Sequence, residues 1–402
     1  MTGPSFPFGM DPESLGDAPL FREFQRVMSA SSGPVQWELA RQLAVASAAD
    51  EGPDTEPDPS AAAGFDDALR VAELQVLDLT AFPPPAEVLH VQLVRRATWI
   101  AAAMEAYAPL VEQAAQRMVD ALGRALADEP ELQEGERSEA LAAMGISSPQ
   151  VLIAQLGPLL QATHVGQVFG FLAGRVLGDH DIGIPREAAG PLRIVLANVE
   201  KLERDWSLDP REFRTYVALH QTVHRLQFAQ PWLAVHTTTA IDDFLASMAI
   251  DVEEIRGRFA SLSPTDPEAF QNAFAADDGS MFGVVLDDEQ QLKLDRIRAL
   301  LGAIEGYGDH VAATIGARLL GTFPQIDEAM RRHREDEEFD PMFARLLGVD
   351  VGRQHAELGR AFCATVVELT DEHTLTRMWA SADSLPGLAE LEEPRLWLAR
   401  TV

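Results

Sequence analysis

The chain has 402 residues, enough for one large domain or two ordinary ones, and its hydrophobic share of 47% is that of a globular protein. A net charge of −31 argues against nucleic acid and against anionic membrane surfaces, which both attract basic proteins. The only cysteine, Cys363, excludes an internal disulfide and any cysteine-based zinc site.

The first residues lack the basic start and apolar core of a secretory signal, so a cytoplasmic location is the expectation. Residues 1–60 are expected to form a flexible N-terminal segment. It would carry short helices at Phe21–Met28 and Pro34–Ala49, then an acidic, proline-rich linker at Asp50–Pro59. Helical patterning resumes at Ala61, pauses at Phe82-Pro-Pro-Pro85 and continues over Ala86–Leu126.

Val151–Gly174 has no charged residue and is long enough to span a bilayer. Its Gln155, Pro158, Gln161, Thr163, His164 and Gln167 are too many polar groups for a lipid-facing helix, so no membrane span is expected. Gly166, Gly170, Gly174 and Gly178 recur every four residues and leave one face bare for close approach of another backbone. This stretch reads as a buried central helix. Asp179–Pro185 reads as a turn-rich loop, and Leu192–Leu196 is the best strand. Asp242–Phe282 is acidic and irregular, with a helix near Pro267–Phe274. Asp287, with Gln290 three residues on, then opens a long helix that runs to about Ile315 and ends at Gly316. A mainly α protein with a small β-sheet follows.

Chemistry concentrates in two helices. The first begins at Asp209, a good N-cap, with Pro210 in its first turn and Glu212 completing a capping box; Pro231 stops it near Gln230. Phe213, Val217, His220, His224 and Phe228 share one face, which sets two imidazoles one turn apart on an apolar stripe. That is the geometry of a two-histidine metal site. The pattern is His220-Gln221-Thr222-Val223-His224, one residue short of H-E-x-x-H, in which the glutamate is the general base. Gln221 exchanges hydrogen bonds but cannot take a proton from water.

In the second helix, Leu294, Ile297, Leu301, Glu305 and Gly308 share a face, which sets a carboxylate on apolar surface. A carboxylate there needs a cation or donors, either a metal or an arginine such as Arg175 or Arg193. Asp309, one turn on, is placed to accept from the far ring nitrogen of His220 or His224. Glu305 ranks first as third ligand and His236 a distant second. His164 and His180 have no ligand spacing, and His310 points to another helix face.

The segments Leu219–Leu233, Ile304–Val311 and Leu346–Val349, with Met378-Trp379, Leu385-Pro386 and the N-terminal Ser32–Ala40, resemble the zincin-2 family of actinobacterial zinc-dependent metalloproteases or hydrolases. The resemblance covers most of the chain from Gly33. It implies a zincin-like helical domain over 61–402, Zn2+ held by His220, His224 and Glu305, and a peptide or protein as substrate or ligand. It also puts the catalytic glutamate where this chain has Gln221. The expectation is therefore a metallopeptidase-like hydrolase with impaired catalysis, or else an inactive, metal-binding pseudoenzyme that holds peptide without cutting it.

Overall fold

Helix α6 (Pro210–Phe228) starts as its sequence specifies. The Asp209 carboxylate accepts from the Glu212 amide, and Pro210 occupies the first turn, where a missing N–H costs nothing. The reciprocal half of the capping box does not form. Glu212 instead accepts from the Gly321 and Thr322 amides and the Thr322 hydroxyl, at the turn that leads into α9 (Phe323–Arg334). From Tyr216 to Phe228 every residue of α6 is buried, so the helix is packed all round.

This computed structural model describes residues 33–85, 90–127, 149–185, 190–247, 287–334 and 353–401. The helices expected at Phe21–Met28 and Pro267–Phe274, and the segment Leu346–Val349, lie outside them. Helix α8 (Asp288–Leu319) opens on a complete Asp287–Gln290 capping box and packs against α6 on one side and α10 (Arg353–Leu369) on another. The glycine face of α4 (Pro149–Ala173) receives α1 (Trp37–Ala49). A Cβ at Gly166 would stand 2.8 Å from the Ala40 carbonyl oxygen, and one at Gly170 2.8 Å from that of Ala44. Close backbone contact of this kind is what the four-residue glycine period predicts. Among the described residues no helix is long and apolar enough to cross a membrane.

The sheet is one parallel pair, β1 (Val91–Val94) and β2 (Leu192–Val195), in the register Val91↔Leu192 to Val94↔Val195. β2 falls on the expected strand. β1 interrupts what the periodicity predicts as helix over Ala86–Leu126, and α3 (Arg96–Ala127) starts only after it. Val91-Gln-Leu-Val94 is too short to show a period of its own, and its partner lies about a hundred residues away beyond a helical crossover. Helix α7 (Leu233–Ser247) likewise carries regular structure past Asp242.

The expected linker is free of helix from Gly52 to Asp58 and is laid against the body. Asp54 caps α3 by accepting from the Arg96 and Ala97 amides, and Arg96 donates back to the Gly52 carbonyl and to Asn198. Glu51 binds Lys201 at 2.8 Å and Arg175 at 3.4 Å. The architecture is mainly α with a small sheet, and α6 and α8 bring the candidate residues together.

Candidate metal centre

The one-turn spacing on α6 brings His220 and His224 ring to ring, with centroids 4.5 Å apart and Nε2 atoms 3.3 Å apart. Glu305 arrives from α8 with Oε2 at 3.9 Å from His224 Nε2. One donor atom from each of the three residues lies within 4.8 Å of the others. Two glycines make the space. A Cβ at Gly308 would stand 2.6 Å from His224 Cε1 and Nε2. Gly183, in the loop before β2, has φ +71°, and a Cβ there would collide with Glu305 Oε1.

The two imidazoles have different surroundings. His224 is fully buried and packs against the Phe228 ring, and its Nδ1 has no hydrogen-bond partner among the described residues. Burial, and then the charge of His220, hold its pKa well below the ordinary histidine value. Glu305 Oε1 is likewise without a partner among the described residues; burial pushes this carboxyl up to about 7, against the pull of His220.

His220 faces charge on both sides. Asp181 Oδ1 lies 3.6 Å from Nδ1, and Asp309 Oδ1 lies 3.6 Å from Nε2. Arg334, the last residue of α9, binds both oxygens of Asp309 through Nη1 and reaches His220 Nε2 with Nη2 at 3.0 Å. Burial disfavours the imidazolium, but the Asp181 and Asp309 carboxylates override it and raise the pKa to about 9. The contact with Arg334 belongs to the neutral ring, because a guanidinium can only donate and Nε2 must then accept. Neutral His220 carries its proton on Nδ1, toward Asp181; a proton on Nε2 would displace Arg334. Burial also works against an ionised Asp309, and the charge of Arg334 beside it reverses this and holds its pKa far below the usual carboxylate range.

Two imidazole nitrogens and a carboxylate oxygen are a donor set suited to zinc. The buried, unsatisfied Glu305 Oε1 and the glycines cut to fit both Glu305 and His224 agree with it. Over residues 35–398 the chain matches the zincin-like metallopeptidase family. It belongs to that family. The chain is also similar to the crystal structure of a protein from Chloroflexus aurantiacus, proposed to be a hydrolase and described as having a novel fold. Identity is 23%, with 91% of this chain and 98% of that one covered at a TM-score of 0.60, which shows a shared fold. No curated protein matches.

Gln221 is fully buried. Its Oε1 accepts from the His180 amide at 2.9 Å, and its Nε2 donates to Asp181 Oδ1. Gly178 leaves it room, since a Cβ there would stand 2.6 Å from the Gln221 amide. Asp181 also accepts from the Leu177 and Gly178 amides, so the loop and Gln221 form one hydrogen-bonded unit that sets a carboxylate beside His220.

Asp309 Oδ1 lies on the Nε2 side of His220 and its carboxylate pairs with Arg334, while Asp181 Oδ1 lies on the Nδ1 side. One turn beyond Glu305, Asp309 faces the same side as the ligand cluster, and its buried charge needs the arginine. Arg175 and Arg193, the arginines considered for Glu305, pair with Glu51 and Asp179 instead. His236 packs its ring on Trp232 and is not part of the cluster; His310 bonds Glu372 at 3.1 Å. Sequence reasoning missed Asp181, Gly183 and Arg334. Two acids flanking His180 just before the strand were the available signal for Asp181; Arg334 had none.

Proposed function

We propose that this zincin-like metallopeptidase binds one Zn2+ through His220, His224 and Glu305, engages a peptide or protein there, and hydrolyses it weakly because position 221 holds no base. The observation that carries the reading is the convergence of three donor atoms within 4.8 Å at the meeting of α6 and α8. Zinc at such a site polarises a scissile carbonyl and lowers the pKa of a bound water. The chain's own groups do the rest. The Asp181 carboxylate, 3.6 Å from Nδ1, orients His220 by its charge, and Gly183 and Gly308 keep Glu305 and His224 in place. No carboxylate stands at 221 to take the water's proton and deliver it to the leaving amine, a service worth typically about 10²–10⁴-fold.

A second reading, a pseudoenzyme that binds peptide without cutting, is favoured by the engagement of Gln221. Its amide donates to Asp181 while its oxygen accepts from His180, and a glutamate could not do both. Zinc analysis of the purified protein, followed by a peptide-library assay of wild type and Gln221→Glu, tests both readings. A gain of about 10²-fold or more with glutamate supports the impaired hydrolase. No cleavage by either, with weaker zinc binding in Gln221→Glu, supports the binding module. Equal, robust cleavage by both means that another group is the base and sinks the assignment of position 221.

A further inference from the structure

Arg334 lies at the centre, yet neither metal binding nor hydrolysis by the three ligands requires it. Helix α9 ends in Arg331, Arg332, His333 and Arg334, a basic last turn of the sort that complements a helix dipole. Arg331 and Arg332 stay outside and pair with Glu328, whereas Arg334 turns inward to Asp309 and His220. In the neutral ring, Nη2 donates to the Nε2 lone pair that a metal ligand must offer. A nitrogen with one lone pair cannot serve both, so zinc coordination by His220 Nε2 frees Nη2. Asp309 keeps Nη1 on both its oxygens, and the guanidinium therefore remains beside the metal position with its second arm empty. The freed arm is left with solvent alone, and a planar fork of N–H groups fits a carboxylate best. The Arg334 side chain is 29% exposed, against 7% for His220 and 0% for His224, so an incoming ligand can reach it.

We propose that Arg334 is a specificity residue that receives a free carboxylate of the ligand beside the metal, so that the preferred ligands are peptides or acylated amino acids carrying an acid close to the bond presented to zinc. This rests on the metal-site reading, and the experiment separates the two. Zinc uptake by the full-length protein is measured first. The zinc-loaded protein is then titrated calorimetrically with N-acetylglycine and with N-acetylglycinamide, which differ only in the carboxylate. Wild type should bind the acid roughly 10- to 100-fold more tightly than the amide, the range of one charge-assisted hydrogen bond. In Arg334→Gln most of that ratio should vanish, while metal-free protein takes up zinc more readily because Nε2 is no longer capped. Asp309→Asn/Arg334→Gln removes the buried pair together and covers the case in which the single variant folds poorly; the acid preference should be lost there too. Zinc itself attracts carboxylates, so an acid-to-amide ratio unchanged in both variants overturns the role of Arg334 while the metal site stands. Failure of wild type to take up zinc overturns the metal site and this inference with it.

Discussion

His220 and His224 are the same residue, one turn apart on one helix, and the protein treats them in opposite ways. Around His224 the walls are dry and shaped by what is left out: Phe228 below, no Cβ at Gly308, and no partner for Nδ1 among the described residues. Around His220 the walls are charged, with Asp181 on one nitrogen and Asp309 with Arg334 at the other. The difference separates two tasks that a metal site must meet. The dry side keeps a ligand neutral and fixed by shape. The charged side adjusts its ligand electrostatically and can exchange partners.

The largest effects should come from the shape-fitted side. Glu305→Gln and Gly183→Ala should each cost zinc affinity more than the roughly 10- to 100-fold expected from losing a supporting group. The first removes a charged ligand, and the second forces a Cβ into Glu305 at a backbone angle that alanine rarely adopts. Calorimetric zinc titration checks both, and circular dichroism should show the helices unchanged in Glu305→Gln. Retained affinity in Gly183→Ala would mean that Glu305 has room to move.

Zinc affinity should also climb with pH, because bound protons must leave. His224 has already lost its proton; His220, raised to about 9, and Glu305, raised to about 7, still hold theirs below those values. Affinity should rise roughly tenfold per unit and per proton while pH lies below those values, and flatten above about 9. A flat profile between about pH 6 and pH 9 would show that Arg334 already keeps His220 neutral. Next in size, Asp181→Asn should weaken zinc roughly 10- to 100-fold through lost orientation of His220. An unchanged affinity would reduce Asp181 to a loop anchor.

The smallest effect concerns Glu212, far from the metal. Hydrogen bonds from the Thr322 hydroxyl and amide and from the Gly321 amide lower its pKa. A depressed carboxylate contributes stability above its ordinary pKa, and that contribution is lost as pH falls through the folded value. The Tm of Glu212→Gln should therefore change slightly less between about pH 7 and about pH 4 than that of wild type. An identical acid dependence would assign the contact no weight.

Local signals carried far in this chain. Asp209 with Pro210, and Asp287 with Gln290, marked both site helices because helix ends are decided by neighbours in sequence. The glycine period at Gly166 and Gly170 announced the α1 contact, and His220, His224 and Glu305 showed themselves as polar groups on apolar stripes. What escaped was settled at a distance. β1 is a strand because β2 pairs with it, not because Val91-Gln-Leu-Val94 insists on it. Glu212 leaves its own helix cap because the Thr322 turn offers three donors at once. Asp181 and Arg334 meet His220 from 39 and 114 residues away, and no spacing rule reaches that far.

Helix α9 is fastened at both ends. Its first turn is tied to Glu212 of α6, and its last is held where His333 Nε2 bonds the Arg175 carbonyl at 3.0 Å. With both ends tied, the shortest route for Arg334 away from His220 is rotation about its own side-chain bonds. Such a pivot is a local side-chain event needing no domain motion. Exchange of the guanidinium between the histidine and an incoming acid would thus be far faster than loop opening, and metal loading should leave the helical frame where it was.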